Sequence, residues 1–352
     1  MRESKTVKRD RAILSGLEFI YGVARDSQVF ADYGSDLLNC FYFISATSDD
    51  PRLRRTARRM GRERARQWRL DHSALPKKVD AEVIADFVHG HYAAARLGER
   101  DERLKGQIRR AAPRFTPQDY LWFDPDREPP PVDVPEDCEC GADNPRGRKV
   151  CRRCKRRLKR MSRYWAYMDA LTRSYTGERY GVILGATFAS VIKWLPHMRP
   201  YRGYEGGENA EFYEEVYAVT HVVYTLNDYS RYRLSTRWLP QEYEFLKAAL
   251  ERVIESDDPE MLGEIMDSLR SFGLTSRHPL IRDAVDYLRE KQNDDGSWGD
   301  VHTENIYQRY HPTWTAIDGL REYRWRGERL SFPKLLPLLE RWADDEFRAD
   351  FV

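Results

Sequence analysis

The chain has almost no charge imbalance: 59 Lys+Arg stand against 57 Asp+Glu in 352 residues, a net of +2. That balance excludes a global electrostatic pull toward nucleic acid, although local patches can still act. Long apolar runs are missing as well. The longest weakly charged stretch, Tyr180 to Leu195, contains Lys193 and falls short of the ~20 residues that a bilayer span needs. Met1-Arg2-Glu3-Ser4-Lys5 lacks the apolar stretch of a secretory signal, so the expectation is a soluble cytoplasmic protein with no membrane role. Period-two alternation is scarce, which leaves few candidate strands and points to a mainly α fold.

Cysteine is sparse, five in all, yet four crowd into Cys138-Glu139-Cys140 and Cys151-Arg152-Arg153-Cys154 on either side of a Gly/Asn/Pro turn. Two close pairs can set four thiolates tetrahedrally around Zn²⁺, and the segment resembles zinc ribbons and knuckles. With Cys138, Cys140, Cys151 and Cys154 filling every ligand position, none stays open for substrate. The zinc is therefore expected to be structural and to add folding energy to a segment too short for its own core. Cys40, in Leu37-Leu38-Asn39-Cys40-Phe41, reads as a small buried residue.

Helical periodicity gives about twelve helices, near 8–24, 27–46, 51–70, 80–97, 159–176, 178–194, 208–228, 240–254, 259–272, 279–292, 312–324 and 332–346. Pro259 and Pro312 are placed at first helical positions, and Gly273 and Gly327 follow helix ends. Tyr180-Gly181-Val182-Ile183-Leu184-Gly185-Ala186-Thr187-Phe188-Ala189 reads as a buried, close-packed helix. Three sections follow: an N-terminal helical section 1–112, a Pro-rich linker with the zinc knuckle 113–158, and a C-terminal helical section 159–352.

In Tyr287-Leu288-Arg289-Glu290-Lys291-Gln292-Asn293-Asp294-Asp295-Gly296-Ser297-Trp298 an amphipathic helix runs into a turn. Gln292 can satisfy helix-terminal backbone groups, Asn293 to Gly296 supply turn chemistry, and Trp298 can pack back over the junction. The segment resembles the aromatic-Leu-x3-Gln-x3-Gly-x-Trp repeat of triterpene cyclases and prenyltransferase-type α/α-toroid proteins. The resemblance covers roughly the last third of the chain, and it implies a helical barrel of α/α-toroid type around a central cavity. It does not carry over a reaction. The Asp-x-Asp-Asp acid motif of protonation-initiated terpene cyclases is not reproduced by Ser48-Asp49-Asp50, Ser256-Asp257-Asp258 or Ala343-Asp344-Asp345.

Ligand-type side chains recur on alternate helices. His221, Thr225 and Asp228 fall at i, i+4 and i+7, on one helical face, with His221 and Asp228 about 10 Å apart along the axis. The alternative for them is a core histidine with Asp228 capping the helix end. Glu264 and Asp267, at i and i+3, could chelate a cation or divide acid and base roles, or else form a solvated face paired with Arg270. Gly263 beside Glu264 permits a close approach. His311 is placed at a helix mouth with Thr315 and Asp318 on a similar face, or as a simple cap. His89 and His91 diverge by about 200° on a helix, so at most one faces a shared site.

The leading expectation is a metal-dependent enzyme, of oxygenase or hydrolase type, acting on a small or medium organic substrate. His221, His311 and Glu264 would be metal ligands for Fe or Zn, with Asp267 as the alternative carboxylate and Asp228 or Asp318 orienting a histidine. A non-catalytic toroid binding a peptide, nucleic acid or protein partner is the first alternative, and a metal-free cyclase or lyase using tyrosines and carboxylates is the second. The tracts Arg52 to Arg59 and Arg152 to Arg160 could meet phosphate, an acidic peptide or a partner protein, and the second would offer an acidic partner a site at the zinc knuckle. Without overall basicity, specific nucleic-acid recognition is not expected.

Overall fold

The computed structural model describes residues 5–349, apart from 133, 136, 137, 139, 141, 143, 145–147 and 159. The turn expected between the cysteine pairs lies largely outside the described residues. The protein is mainly helical. The helices are α1 (Lys5–Arg25), α2 (Ser27–Thr47), α3 (Pro51–Asp71), α4 (Ala81–Leu97), α5 (Glu102–Ala111), α6 (Pro117–Leu121), α7 (Arg163–Tyr180), α8 (Phe188–Ile192), α9 (Phe212–Leu226), α10 (Pro240–Glu255), α11 (Pro259–Ser271), α12 (Pro279–Glu290), α13 (Tyr307–Leu320) and α14 (Leu336–Ala349). A two-residue antiparallel pair, β1 (Val134–Pro135) and β2 (Arg160–Met161), brackets the cysteine segment. Aspartates start many of the helices: Asp26, Asp50, Asp80, Asp101 and Asp258 accept first-turn N–H groups of α2, α3, α4, α5 and α11.

Three sequence expectations are corrected. The helix expected over 178–194 is broken, because Gly181 takes a left-handed conformation and ends α7, so that only Phe188–Ile192 is helical beyond it. Pro312 does not open its helix. Asn305 Oδ1 accepts the Tyr307 N–H, starting α13 earlier and leaving Pro312 inside it. The stretch after Pro113 is not wholly irregular, since Thr116 and Asp119 form a reciprocal cap on α6.

Six helices touch in cyclic order: α2 meets α4, then α7, α9, α11 and α13 follow, and α13 returns to α2. Cross-links rise in register along both partners. Tyr217 and Thr220 of α9 donate to Glu260 and Glu264 of α11, at 3.0 and 2.6 Å. Glu260 and Arg270 of α11 reach His311 and Glu322 on the α13 side, and Asp36 and Thr47 of α2 reach Tyr310 and Arg321. Neighbours with ascending registers are parallel, so these helices end on the same side. The intervening helices pack outside, with α3 on α2 and α4, and α10 on α9 and α11. α11 and α13 approach most closely at Gly263, where an added Cβ would lie 2.2 Å from the Thr315 carbonyl oxygen.

The Gln-Gly-Trp turn ties the two ends of the chain together. Trp298 is fully buried, and its Nε1–H donates to the Leu288 carbonyl at 2.7 Å. Gln292 Nε2 donates to Gly296 O and, across the molecule, to Ala12 O of α1. Gly296 has φ 88°, and a Cβ there would meet Ser15 Oγ at 2.3 Å. One apolar core runs from Ala12 to Leu339, while Ala142, Cys151 and Leu158 form a separate small cluster in the cysteine segment. Among the described residues no helix is long and apolar enough to cross a membrane.

Candidate functional site

The four cysteines converge. Their sulfurs all lie within 4.8 Å of one another, with Cys138 Sγ 3.4 Å from Cys154 Sγ and Cys140 Sγ 3.6 Å from Cys151 Sγ. Tetrahedral Zn–S bonds of about 2.3 Å would set sulfurs about 3.8 Å apart, so the cluster could hold a metal ion such as zinc. The backbone prepares it. N–H groups of Cys154 and then Arg153 point at the Cys151 sulfur and outweigh burial, bringing that thiol down to about 6. Asn144 holds the loop by accepting from Arg152 N and donating to Ala142 O. Arg152, Arg153, Lys155 and Arg157 are exposed around it.

A second site lies inside the ring. A cavity of about 100 Å³ is lined by side chains from all six ring helices, among them Asp36 and Phe43 of α2, His89 of α4 and Thr172 of α7. His221, Glu264, Asp267, His311 and Asp318 line the same cavity. Each water-sized site needs about 10–15 Å³ by this measure, so the space suits a few waters or a small organic molecule. Phe43, Tyr224, Tyr229 and Trp314 supply aromatic wall, with Phe43 stacked on Tyr229 at 4.1 Å and on Trp314 at 6.4 Å.

Glu264 and Asp267 are each 3 % exposed, not a solvated face, and Arg270 pairs with Glu322 instead. Burial pushes Glu264 up to about 8, against the pull of His311 and the Thr220 hydroxyl. It pushes Asp267 up to about 7, aided by the charge of Asp318, while Ser230 Oγ donates to Asp267 at 2.6 Å. Asp318 accepts from Arg321 Nε at 2.6 Å, so its nearest partner is an arginine rather than a histidine. Burial brings His221 down to about 4. His221 Nδ1 is 2.8 Å from the Tyr217 carbonyl, which can only accept, so Nδ1 carries the proton and Nε2 keeps its lone pair. His311 behaves oppositely: burial would lower it, but Glu260, 3.1 Å from Nδ1, and Asp36 raise it to about 9.

Glu264 Oε2 lies 3.9 Å from His221 Nδ1. Yet among the described residues only the four cysteines gather three or more such donor atoms within 4.8 Å of one another. His221, Glu264 and His311 thus share a cavity without forming so tight a ligand set. His89 faces this cavity, while His91 is buried against Trp68 and Phe87.

Asp228 lies elsewhere. α9 ends at Leu226, and Asp228, Tyr229 and Ser230 all take positive φ, 59°, 50° and 63°. A left-handed conformation costs roughly 1–2 kcal/mol for each non-glycine residue, so three in succession need outside support. Asn227 supplies some, accepting from Ser230 N at its side chain and from Arg231 N and Tyr232 N at its carbonyl. The turn points Tyr229 into the cavity, Ser230 at Asp267, and Asp228 away to Tyr175, Arg179 and Arg231. Helical spacing had put Asp228 on the His221 face; the turn removes it. Asp36, Tyr229, Glu260 and Arg321 were not singled out from sequence. Only Asn227-Asp228, residue types that tolerate left-handed backbone, hinted at the turn.

The chain matches no family model, no curated protein and no solved structure.

Proposed function

We propose that this protein is an α/α-toroid enzyme that moves protons on a small organic substrate within its ring, with a structural zinc in the cysteine knuckle. The observation that carries the reading is the pairing, on adjacent helices, of a carboxyl raised to about 8 with an imidazole lowered to about 4, both facing one cavity. At neutral pH the carboxyl holds its proton and the imidazole has none, the reverse of their order in water. Glu264 is then the general acid, held by its hydrogen bond to the Thr220 hydroxyl. His221 Nε2 is the general base. The aromatic walls favour a substrate that becomes cationic as it takes the proton, which suits isomerase, lyase or cyclase chemistry.

The ring supports the toroid because the cross-links make α9, α11, α13 and α2 parallel, with α3 packed on α2 and α4 and α10 on α9 and α11. That His221, Glu264 and His311 do not bring three donor atoms within 4.8 Å of one another favours this acid–base chemistry over the metal-dependent oxygenase or hydrolase. Infrared spectroscopy at neutral pH tests the reading: a protonated-carboxyl band should be present and should vanish in Glu264→Gln. An ionised Glu264 at neutral pH would sink it. Metal analysis gives an independent check, since one zinc per chain is expected and a second, chelator-labile metal would restore the metalloenzyme.

A further inference from the structure

Tyr229 packs on Tyr175 as well as on Phe43, and the Tyr175 hydroxyl donates to Asp228, which pairs with Arg179. Arg179 lines another space, a cleft of about 220 Å³ among α4, α5 and α7, together with Tyr92, Arg96, Arg100 and Lys105. Two carboxylates share its lining. Asp101 is already engaged, accepting from Leu104 N at the start of α5 and standing 3.8 Å from Arg69, and Glu102 is exposed at the rim. The C-terminal ends of α4 and α7 add roughly half a negative charge each, which weakens but does not cancel the four cations. Among the described residues, Arg179 is the one of these four cations with a carboxylate partner, Asp228, which lies outside the cleft lining.

Two buried donors of this wall lack acceptors. The Tyr92 hydroxyl, in a residue 2 % exposed, faces the Arg96 and Arg179 guanidiniums, and among the described residues it finds no acceptor for its own proton, nor does Arg179 Nε–H. Buried donors are nearly always satisfied, so a hydroxyl proton and an Arg179 Nε–H without acceptors on one cleft wall call for a ligand with several acceptor oxygens. A tetrahedral oxyanion offers those oxygens, and its double charge matches the excess of cations over carboxylates in the lining.

We infer that the cleft binds a phosphate or phosphomonoester group, with Arg96, Lys105 and Arg179 gripping its oxygens and the Tyr92 hydroxyl donating to it. The group could belong to a soluble molecule or to a lipid headgroup. Calorimetric titration of the full chain with inorganic phosphate, and sedimentation with phosphatidylcholine vesicles carrying phosphatidic acid, separate the two sources. Saturable binding of either probe is expected, weakened at least about tenfold by Arg96→Met and by Lys105→Met. Arg58→Met, on the exposed arginine face of α3, is expected to leave it unchanged. The inference is overturned if neither probe binds saturably, if binding survives both cleft variants, or if Arg58→Met removes it.

Discussion

Glu264→Gln should change the pH dependence of stability more than it disturbs the fold. The glutamate is 3 % exposed, and burial holds its carboxyl at about 8, whereas in the unfolded chain it returns to about 4.3. The folded state keeps a proton that the unfolded chain releases. This group's contribution is therefore fully present below about pH 4.3 and is lost as pH rises through about 8. Across that window each pH unit shifts the folding equilibrium about tenfold, and the whole span is on the order of 5 kcal/mol. Glutamine resembles the neutral carboxyl and cannot ionise, so the variant lacks this slope. His311, raised to about 9, loses stability toward high pH in both proteins, while His221 and His89, lowered to about 4, lose it toward low pH in both. Those contributions largely cancel in the difference. Urea unfolding followed by tryptophan fluorescence, from about pH 5 to about pH 8, should show Glu264→Gln gaining on the wild type by several kcal/mol. A difference that stays constant over that range would refute the burial argument and remove the general acid with it.

Trp298→Ala should destabilise the protein by about 3–5 kcal/mol, since it empties a buried site and abandons the Leu288 carbonyl; an unchanged unfolding midpoint would count against the turn as a stabilising joint. Cys151→Ser should reduce metal content measured by mass spectrometry and expose the cysteine segment to proteolysis, leaving the helical circular dichroism intact. Equal metal content in wild type and variant would show that the thiolates hold no ion. Gly263→Ala should lower thermal stability by more than the usual surface change, because its Cβ meets the Thr315 backbone and not a movable side chain. A neutral result would mean that α11 and α13 are farther apart than the structure places them.

Local patterns were legible where local forces decide. Asp258-Pro259 starts a helix with its own cap and ring geometry, and that boundary falls where the sequence puts it. The Gln292 to Trp298 turn was readable for the same reason, although its reach to Ala12 was not, because that partner lies 280 residues away in the chain. Boundaries failed where one local signal overrode another: Gly181 ended a helix that apolar patterning continued, and Asn305 started one before Pro312. Asp228 was misplaced because spacing arithmetic assumes that the helix goes on, and here three left-handed residues follow its end.

By itself the sequence determined the helical class, the four-thiolate cluster and the residue types from which a site could be built, since periodicity, cysteine spacing and side-chain chemistry are properties of short segments. Only the tertiary structure decided that His221, Glu264, Asp267, His311 and Asp318 face one cavity with Asp36 and Tyr229. It also decided their protonation. A carboxyl and an imidazole exchange their usual order only when desolvation acts on both, and desolvation comes from helices distant in sequence closing around them.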